Sequence, residues 1–143
     1  MFQDASNTRK QGDIGLAVAI GWFGTNGYTV SIPLTDAQDY DLIVDKEGEL
    51  LRIQVRTASQ LRSSGAYRAG VRVNGGNRSW NGVSKHCTQS PNIDAFFIVC
   101  ADGSMYLIPK ASVSGHMSEI CVGGAKWHDC CVGTHNKNTA LSS

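Results

Sequence analysis

Between Tyr40 and Ala58 the chain reads Tyr-Asp-Leu-Ile-Val-Asp-Lys-Glu-Gly-Glu-Leu-Leu-Arg-Ile-Gln-Val-Arg-Thr-Ala, and no other stretch constrains the fold as strongly. Two runs rich in branched apolar residues flank Lys46-Glu47-Gly48, which reads as a hairpin turn with Gly48 at the positive-φ position. Tyr40 to Asp45 is then one strand and Glu49 to Thr57 the next. In the second, Leu51, Ile53 and Val55 share one face and Arg52, Gln54 and Arg56 the other, because side chains alternate along a strand. A chain holding this hairpin must cover the apolar face with another layer.

The segment before the hairpin supplies a candidate for that layer. Thr8-Arg9-Lys10-Gln11 has the form of a capping box. A helix is expected from there to about Thr25, with Ile14, Ala17, Val18, Ile20 and Phe23 on a broad apolar face and Asn26-Gly27 as the stop. Gly12, Gly15 and Gly21 weaken its intrinsic helicity, and close packing on a sheet is the expected reason. Tyr28 to Leu34 reads as a strand, with Pro33 at its end or at a sheet edge.

After the hairpin, Ser59 to Gly65 reads as a loop and Tyr67 to Val73 as a further strand. Asn74 to Pro91 is rich in Gly, Asn and Ser and is expected to be a long functional loop. Ile93 to Cys100 is the most apolar run and is expected to be the central strand. Met105 to Ile108 should pair with it across the Ala101–Ser104 turn, with a short helix near Lys110 to Val113. Beyond Gly115 no periodicity is evident, so residues 116–143 are expected to be a weakly ordered, Cys/His-rich extension of a domain spanning 1–115. The expected class is α/β: an N-terminal helix, then a mixed sheet interrupted by a basic insertion. The length of 143 residues suits one core.

Charge is unevenly placed, although the net charge is only +1. Residues 50–93 carry Arg52, Arg56, Arg62, Arg68, Arg72, Arg78 and Lys85 and no acid, next to a predominantly acidic stretch over 1–49. Such a block suits a polyanion partner, or a solvated basic face. Arg62, Arg68, Arg72, Arg78 and Lys85 are the candidate contacts to such a polyanion, DNA if the chain is a nuclease. Arg68 and Arg72 alternate on one face of the expected strand, and a β-ribbon of this kind can carry arginines into a groove. No run of about 18 apolar residues is present, and no export signal is evident. The expectation is a cytoplasmic protein with no membrane partner, whose five cysteines are reduced thiols.

The chemistry centres on the hairpin. Hydrolysis of a phosphodiester usually needs a metal that polarises the phosphate and lowers the pKa of a water. Mg²⁺ takes oxygen ligands, often only one or two from the protein. Asp41 can supply one, and the Gln54 side-chain carbonyl or the Val55 backbone carbonyl another. Arg56 lies two residues after Gln54 on the same face. An Asp followed by a loop and Gln-x-Arg is a short pattern, and an ordinary polar strand face reads the same way. In the tail, Cys121, His128, Cys130, Cys131 and His135 are zinc-ligand types, but their spacing matches no established zinc pattern.

A longer set of residues resembles a known family. Asn7-Thr8-Arg9-Lys10-Gln11-Gly12-Asp13-Ile14-Gly15, Gly27-Tyr28-Thr29-Val30, Pro33, Tyr40-Asp41-Leu42-Ile43-Val44-Asp45, Arg52 to Ala58, Ile93-Asp94-Ala95-Phe96 and Tyr106-Leu107-Ile108-Pro109 follow one another as in the group I intron-encoded homing endonucleases of the PD-(D/E)XK nuclease superfamily, relatives in fold of Holliday-junction resolvases. The resemblance implies a restriction-endonuclease-like core and a Mg²⁺-dependent enzyme that cuts double-stranded DNA as a homo-oligomer, dimer or tetramer. Asp41 matches the metal-binding aspartate, Gln54 the glutamine this branch carries, and Arg56 stands where the family has lysine. Two positions depart. Leu16 stands where the first helix usually carries a glutamate, and Arg56 keeps its charge but does not readily give up a proton. The implied alternatives are a weakened nuclease, a DNA-binding protein on the same scaffold, or a junction resolvase.

Overall fold

The computed structural model describes residues 1–2, 7–74, 84–86, 90–113 and 119–136, with the backbone alone at 72–74 and 84–86. Its first element is α1 (Thr8–Thr25), and its cap lies one residue earlier than the capping-box pattern indicates. Asn7, not Thr8, is the N-cap: its side-chain oxygen accepts from the Lys10 N–H at 2.9 Å. This leaves Gln11 free to reach the sheet. The helix stops at Asn26, followed by Gly27 at φ +87°.

Strands β1 (Thr29–Ser31), β2 (Leu42–Lys46) and β3 (Glu49–Ala58) follow. The expected strand from Tyr28 to Leu34 is reduced to three residues, and it is an edge strand, as Pro33 suggested. The β2–β3 turn holds both Glu47 (φ +55°) and Gly48 (φ +86°) in left-handed backbone, the two-residue geometry that matches strand twist. Short strands β4 (Gln60–Leu61) and β5 (Tyr67–Gly70) come next. β6 (Arg72–Asn74) then pairs with β7 (Ser84–His86). The expected run from Tyr67 to Val73 is therefore two strands, broken at Val71. β8 (Ala95–Cys100) is buried at every residue and forms a hairpin with β9 (Ser104–Pro109). A single 3-10 turn, Lys110–Ser112, stands where a short helix was expected.

The principal sheet has the order β1-β2-β3-β8-β9-β11, and β3 runs parallel to β8 with Ile53 opposite Ala95. A parallel pair needs a long crossover, which the basic insertion supplies. The helix packs on one face, where Val18, Ala19 and Phe23 meet Leu42, Val44, Ile53, Phe97 and Val99. The opposite face is covered by a small sheet of order β10-β5-β4, through Ala69, Ile120 and Val122 against Phe96, Ile98 and Ile108.

The expected weak order beyond Gly115 does not describe residues 119–134. They form β10 (Glu119–Val122), a 3-10 turn at His128–Cys130 and β11 (Cys131–Thr134). β10 pairs with β5, β11 pairs with β9, and Trp127 is buried in the second core. Each strand is four residues long and is defined by a distant partner, so neither leaves a local periodicity in the sequence.

Candidate functional site

β3 alternates as its sequence requires. Leu51, Ile53, Val55 and Thr57 face the helix, and Arg52, Gln54, Arg56 and Ala58 face the other way. β2 begins at Leu42, so Asp41 lies where the β2–β3 ladder ends. The Asp41 N–H still donates to the Ile53 carbonyl at 2.8 Å. The next donor on that side of β3, the Val55 N–H, has no β2 residue opposite it and donates to Asp41 Oδ2 at 2.8 Å. The carboxylate thus takes the place of a missing ladder partner, which brings it to the open edge of β3. The N–H and C=O of one strand residue point to the same side, so the Val55 carbonyl is directed toward Asp41.

Burial pushes the Asp41 carboxyl above its ordinary value, against the opposing effects of the Val55 N–H and the positive charge of Arg56. Gln54, on the face away from the helix, is only 5% exposed. Its Oε1 has no hydrogen-bond partner among the described residues. A buried unmet acceptor typically costs about 1–3 kcal/mol, so its retention calls for a reason.

These oxygens fit a hard divalent cation. Asp41 offers a carboxylate, Gln54 an orphaned amide oxygen and Val55 a carbonyl, the donor type that Mg²⁺ prefers. Among the described residues no three His, Cys, Asp or Glu side chains gather into a metal-binding group. Asp41 is the carboxylate among these three donors. Leu16 is half-buried against the helix-side core and adds no oxygen. Asp13 is exposed on the outer side of α1, away from Gly15, Val18 and Ala19, so it does not replace the absent glutamate. The helix reaches β3 differently: Gln11 Nε2 donates to Thr57 Oγ1 at 2.8 Å. Of the glycines expected to pack closely, only Gly15 does. A Cβ there would lie 2.4 Å from Thr57 Cγ2, whereas Gly12 and Gly21 have open space.

The candidate DNA contacts separate on inspection. Arg62 and Arg68 both form ion pairs with Glu119 of β10, and Arg68 Nη2 also donates to Gln60 Oε1 at 2.6 Å. The acid-free block is thus met by an acid that lies 57 residues beyond Arg62 in the chain. Arg72 and Lys85 lie on the β6–β7 ribbon, where only the backbone is described, and Val73 lies opposite Lys85. Arg78, with Trp80 and Asn81, lies outside the described residues. Cys121 and Cys131 are free thiols on strands of different sheets.

Sequence reasoning missed a clasp behind Asp41. Ser90 is buried and its Oγ donates to Asp39 Oδ2 at 2.6 Å. Lys110 Nζ donates to the Ser90 carbonyl. Arg52 holds Asp94 through Nε at 3.0 Å and Nη2 at 3.2 Å, and its Nη2 also reaches the Pro91 carbonyl. The Arg52 guanidinium holds the Asp94 carboxyl below its ordinary value. Together these contacts tie the loop leading into Asp41 to the segment leading into β8. Residues 39 and 90 share no local pattern, so no sequence signal announces the pairing.

Comparison with known proteins bears on the whole arrangement. A family model described as PD-(D/E)XK endonuclease matches residues 6–126. Among solved structures, the chain is similar to a bacterial homing endonuclease, I-Ssp6803I, with a TM-score of 0.64 and 25% identity over 83% of this chain and 77% of that one. No curated protein sequence matches the chain.

Proposed function

Because the chain belongs to the PD-(D/E)XK endonuclease family, we propose that it is a divalent-metal-dependent endonuclease of double-stranded DNA, of the homing type, with a weakened site. The observation that carries this reading is the buried, unpartnered Oε1 of Gln54 on the same strand as the Val55 N–H that holds the Asp41 carboxylate, with Arg56 on the Gln54 face and its charge felt by Asp41. Asp41, Gln54 and the Val55 carbonyl would hold Mg²⁺, which supplies the positive charge that polarises a phosphate and acidifies a water. Arg56 clamps the scissile phosphate through its fixed fork of donors. Val55, through its N–H, keeps the Asp41 carboxylate aimed at the strand edge. The reading includes a homo-oligomer acting in the cytoplasm of a bacterial or phage-infected cell. No helix among the described residues is long and apolar enough to cross a membrane.

Leu16 favours a second reading, a DNA-binding protein that has lost cleavage, since its side chain is spent on the helix-side core. One experiment separates the two. Supercoiled plasmid, linear duplex and four-way junction DNA are incubated with Mg²⁺ and either the parent or the Leu16→Glu/Arg56→Lys protein. Weak cutting by the parent and an increase of about tenfold or more in the double variant support the weakened nuclease. Binding without cutting by either protein supports the second reading, and preferential cutting of the junction identifies a resolvase. Equal, robust cleavage by both proteins would overturn the claim of a weakened site.

A further inference from the structure

The outer face of the β4–β5–β10 sheet carries an arrangement that the active-site reading leaves unexplained. In β5, Ala69 points into the core, so Arg68 points out; in β10, Ile120 and Val122 point in, so Glu119 points out. Gln60 lies directly across from Arg68. Arg62 opens the turn between β4 and β5, a tight one in which its N–H donates to the Ala66 carbonyl and its carbonyl accepts from Gly65. Two guanidinium groups from one hairpin thus converge on the two oxygens of one carboxylate: Arg62 on Oε1 and Arg68 on Oε2, the latter at 3.3 Å. Their side chains are 43% and 41% exposed and that of Glu119 33%, so the cluster is open to solvent.

Two arginine forks meeting two oxygens of one anion is also how a phosphodiester is held. Carboxylate and phosphate compete for the same donors, and an exposed ion pair is weak enough to be exchanged for one. We propose that this face binds a backbone phosphate of DNA through Arg62 and Arg68, with Glu119 as a built-in stand-in that occupies the phosphate position until DNA displaces it. Glu119 therefore acts as a brake on DNA affinity. Its place in the chain supports this role: the stretch 50–93 contains no acid, and the sheet returns one from β10 to the centre of its arginines. The β6–β7 ribbon, on which Arg72 and Lys85 lie, follows β5 in the chain. The inference rests on the DNA reading above and adds to it contact residues distinct from Asp41, Gln54 and Arg56.

The test is binding of a duplex oligonucleotide in EDTA, followed across a salt titration, by the parent, Glu119→Gln, Arg62→Ala/Arg68→Ala and the triple variant. Glutamine preserves the size of the side chain and the β10 pairing, and a thermal melt of each protein confirms the fold. The expected result is about tenfold tighter binding by Glu119→Gln at low salt, since one nearby negative charge is removed. The plot of log K against log salt should steepen by about one, the value of one more net charge delivered to phosphate. The gain should vanish when both arginines are absent. Equal affinity and slope for parent and Glu119→Gln overturn the inference while leaving the DNA reading intact, as does a gain that persists without Arg62 and Arg68. If Glu119→Gln gains affinity for inorganic phosphate but not for DNA, the surface is a small-anion site and the inference fails. If no variant binds DNA, the DNA reading fails with it.

Discussion

On one side of β3, Leu51, Ile53, Val55 and Thr57 meet the helix in a close fit: Gly15 allows backbone approach to Thr57, and Gln11 closes the contact with a hydrogen bond. On the other side, Arg52, Gln54 and Arg56 form a polar row in which Gln54 is buried yet keeps an unmet acceptor. The first face satisfies every requirement of a stable core. At the end of that row the Asp41 carboxylate is buried, with its pKa raised, and this and the unmet acceptor both work against folding. Where adjacent faces of one strand differ so sharply, the disfavoured groups mark the place where function, rather than stability, selects the residues.

The largest expected effect comes from removing the charge on the polar face. In the Leu16→Glu/Arg56→Lys background, Asp41→Asn should lower DNA cleavage by more than about 100-fold, beyond the loss typical of residues that only support a metal ligand. Its thermal midpoint in metal-free buffer should rise, because an amide of the same shape keeps the Val55 N–H bond and no longer buries a charge. Opposite signs for activity and stability would sharpen the contrast between the faces. A fall in both would break it, since Asp41 would then serve the fold.

How much of this was legible depends on whether the signal is local. The β2–β3 hairpin, the apolar β8 and α1 each carry their own periodicity, so their positions could be read directly, and the alternation of β3 placed Gln54 with Arg56. The burial of Gln54 depends on what packs against that face of β3, where β5 lies, and no strand pattern reveals that cover. β10 and β11 are defined by partners on β5 and β9. The same long-range pairing brings Glu119 to Arg62 and Arg68, so a charge count along the chain overstated the free positive charge. The cap lies one position before the one that the capping-box pattern indicates because Asn7 and Thr8 are both competent caps, and Gln11 bonds to β3 instead.

The apolar face should give a smaller effect, on stability alone. Gly15→Ala places a Cβ 2.4 Å from Thr57 Cγ2, and Thr57 cannot turn away freely because its χ1 is restricted and Gln11 holds its hydroxyl. Overpacking costs about 1–3 kcal/mol, offset by the ~1 kcal/mol that alanine gains over glycine in a helix. The net expectation is a loss of about 1–2 kcal/mol in urea denaturation. Gly12→Ala and Gly21→Ala, which meet nothing within 4 Å, should instead gain up to about 1 kcal/mol each. A Gly15→Ala protein as stable as those two would show that the close fit is not needed.

The smallest effect belongs to the exposed start of the polar row, and it tests whether polarity or burial makes Gln54 and Asp41 unusual. Arg52 and Asp94 form a well-aligned pair, but their side chains are 37% and 32% exposed, so water and salt screen it. The Asp94 carboxyl is lowered from its ordinary value of 3.8, chiefly by the Arg52 hydrogen bond. The folded state therefore binds fewer protons than the unfolded state in acid. The stabilisation is complete above the ordinary value and is lost as pH falls through the folded one. Asp94→Asn should lower the denaturation midpoint at neutral pH by less than Gly15→Ala does, and the gap to the parent should close as the buffer is taken into the acid range. Added salt at neutral pH should narrow the same gap. A large loss that is insensitive to both pH and salt would place Arg52 and Asp94 with the buried, function-bearing end of the strand, and the division along β3 would then run by residue type instead of by depth.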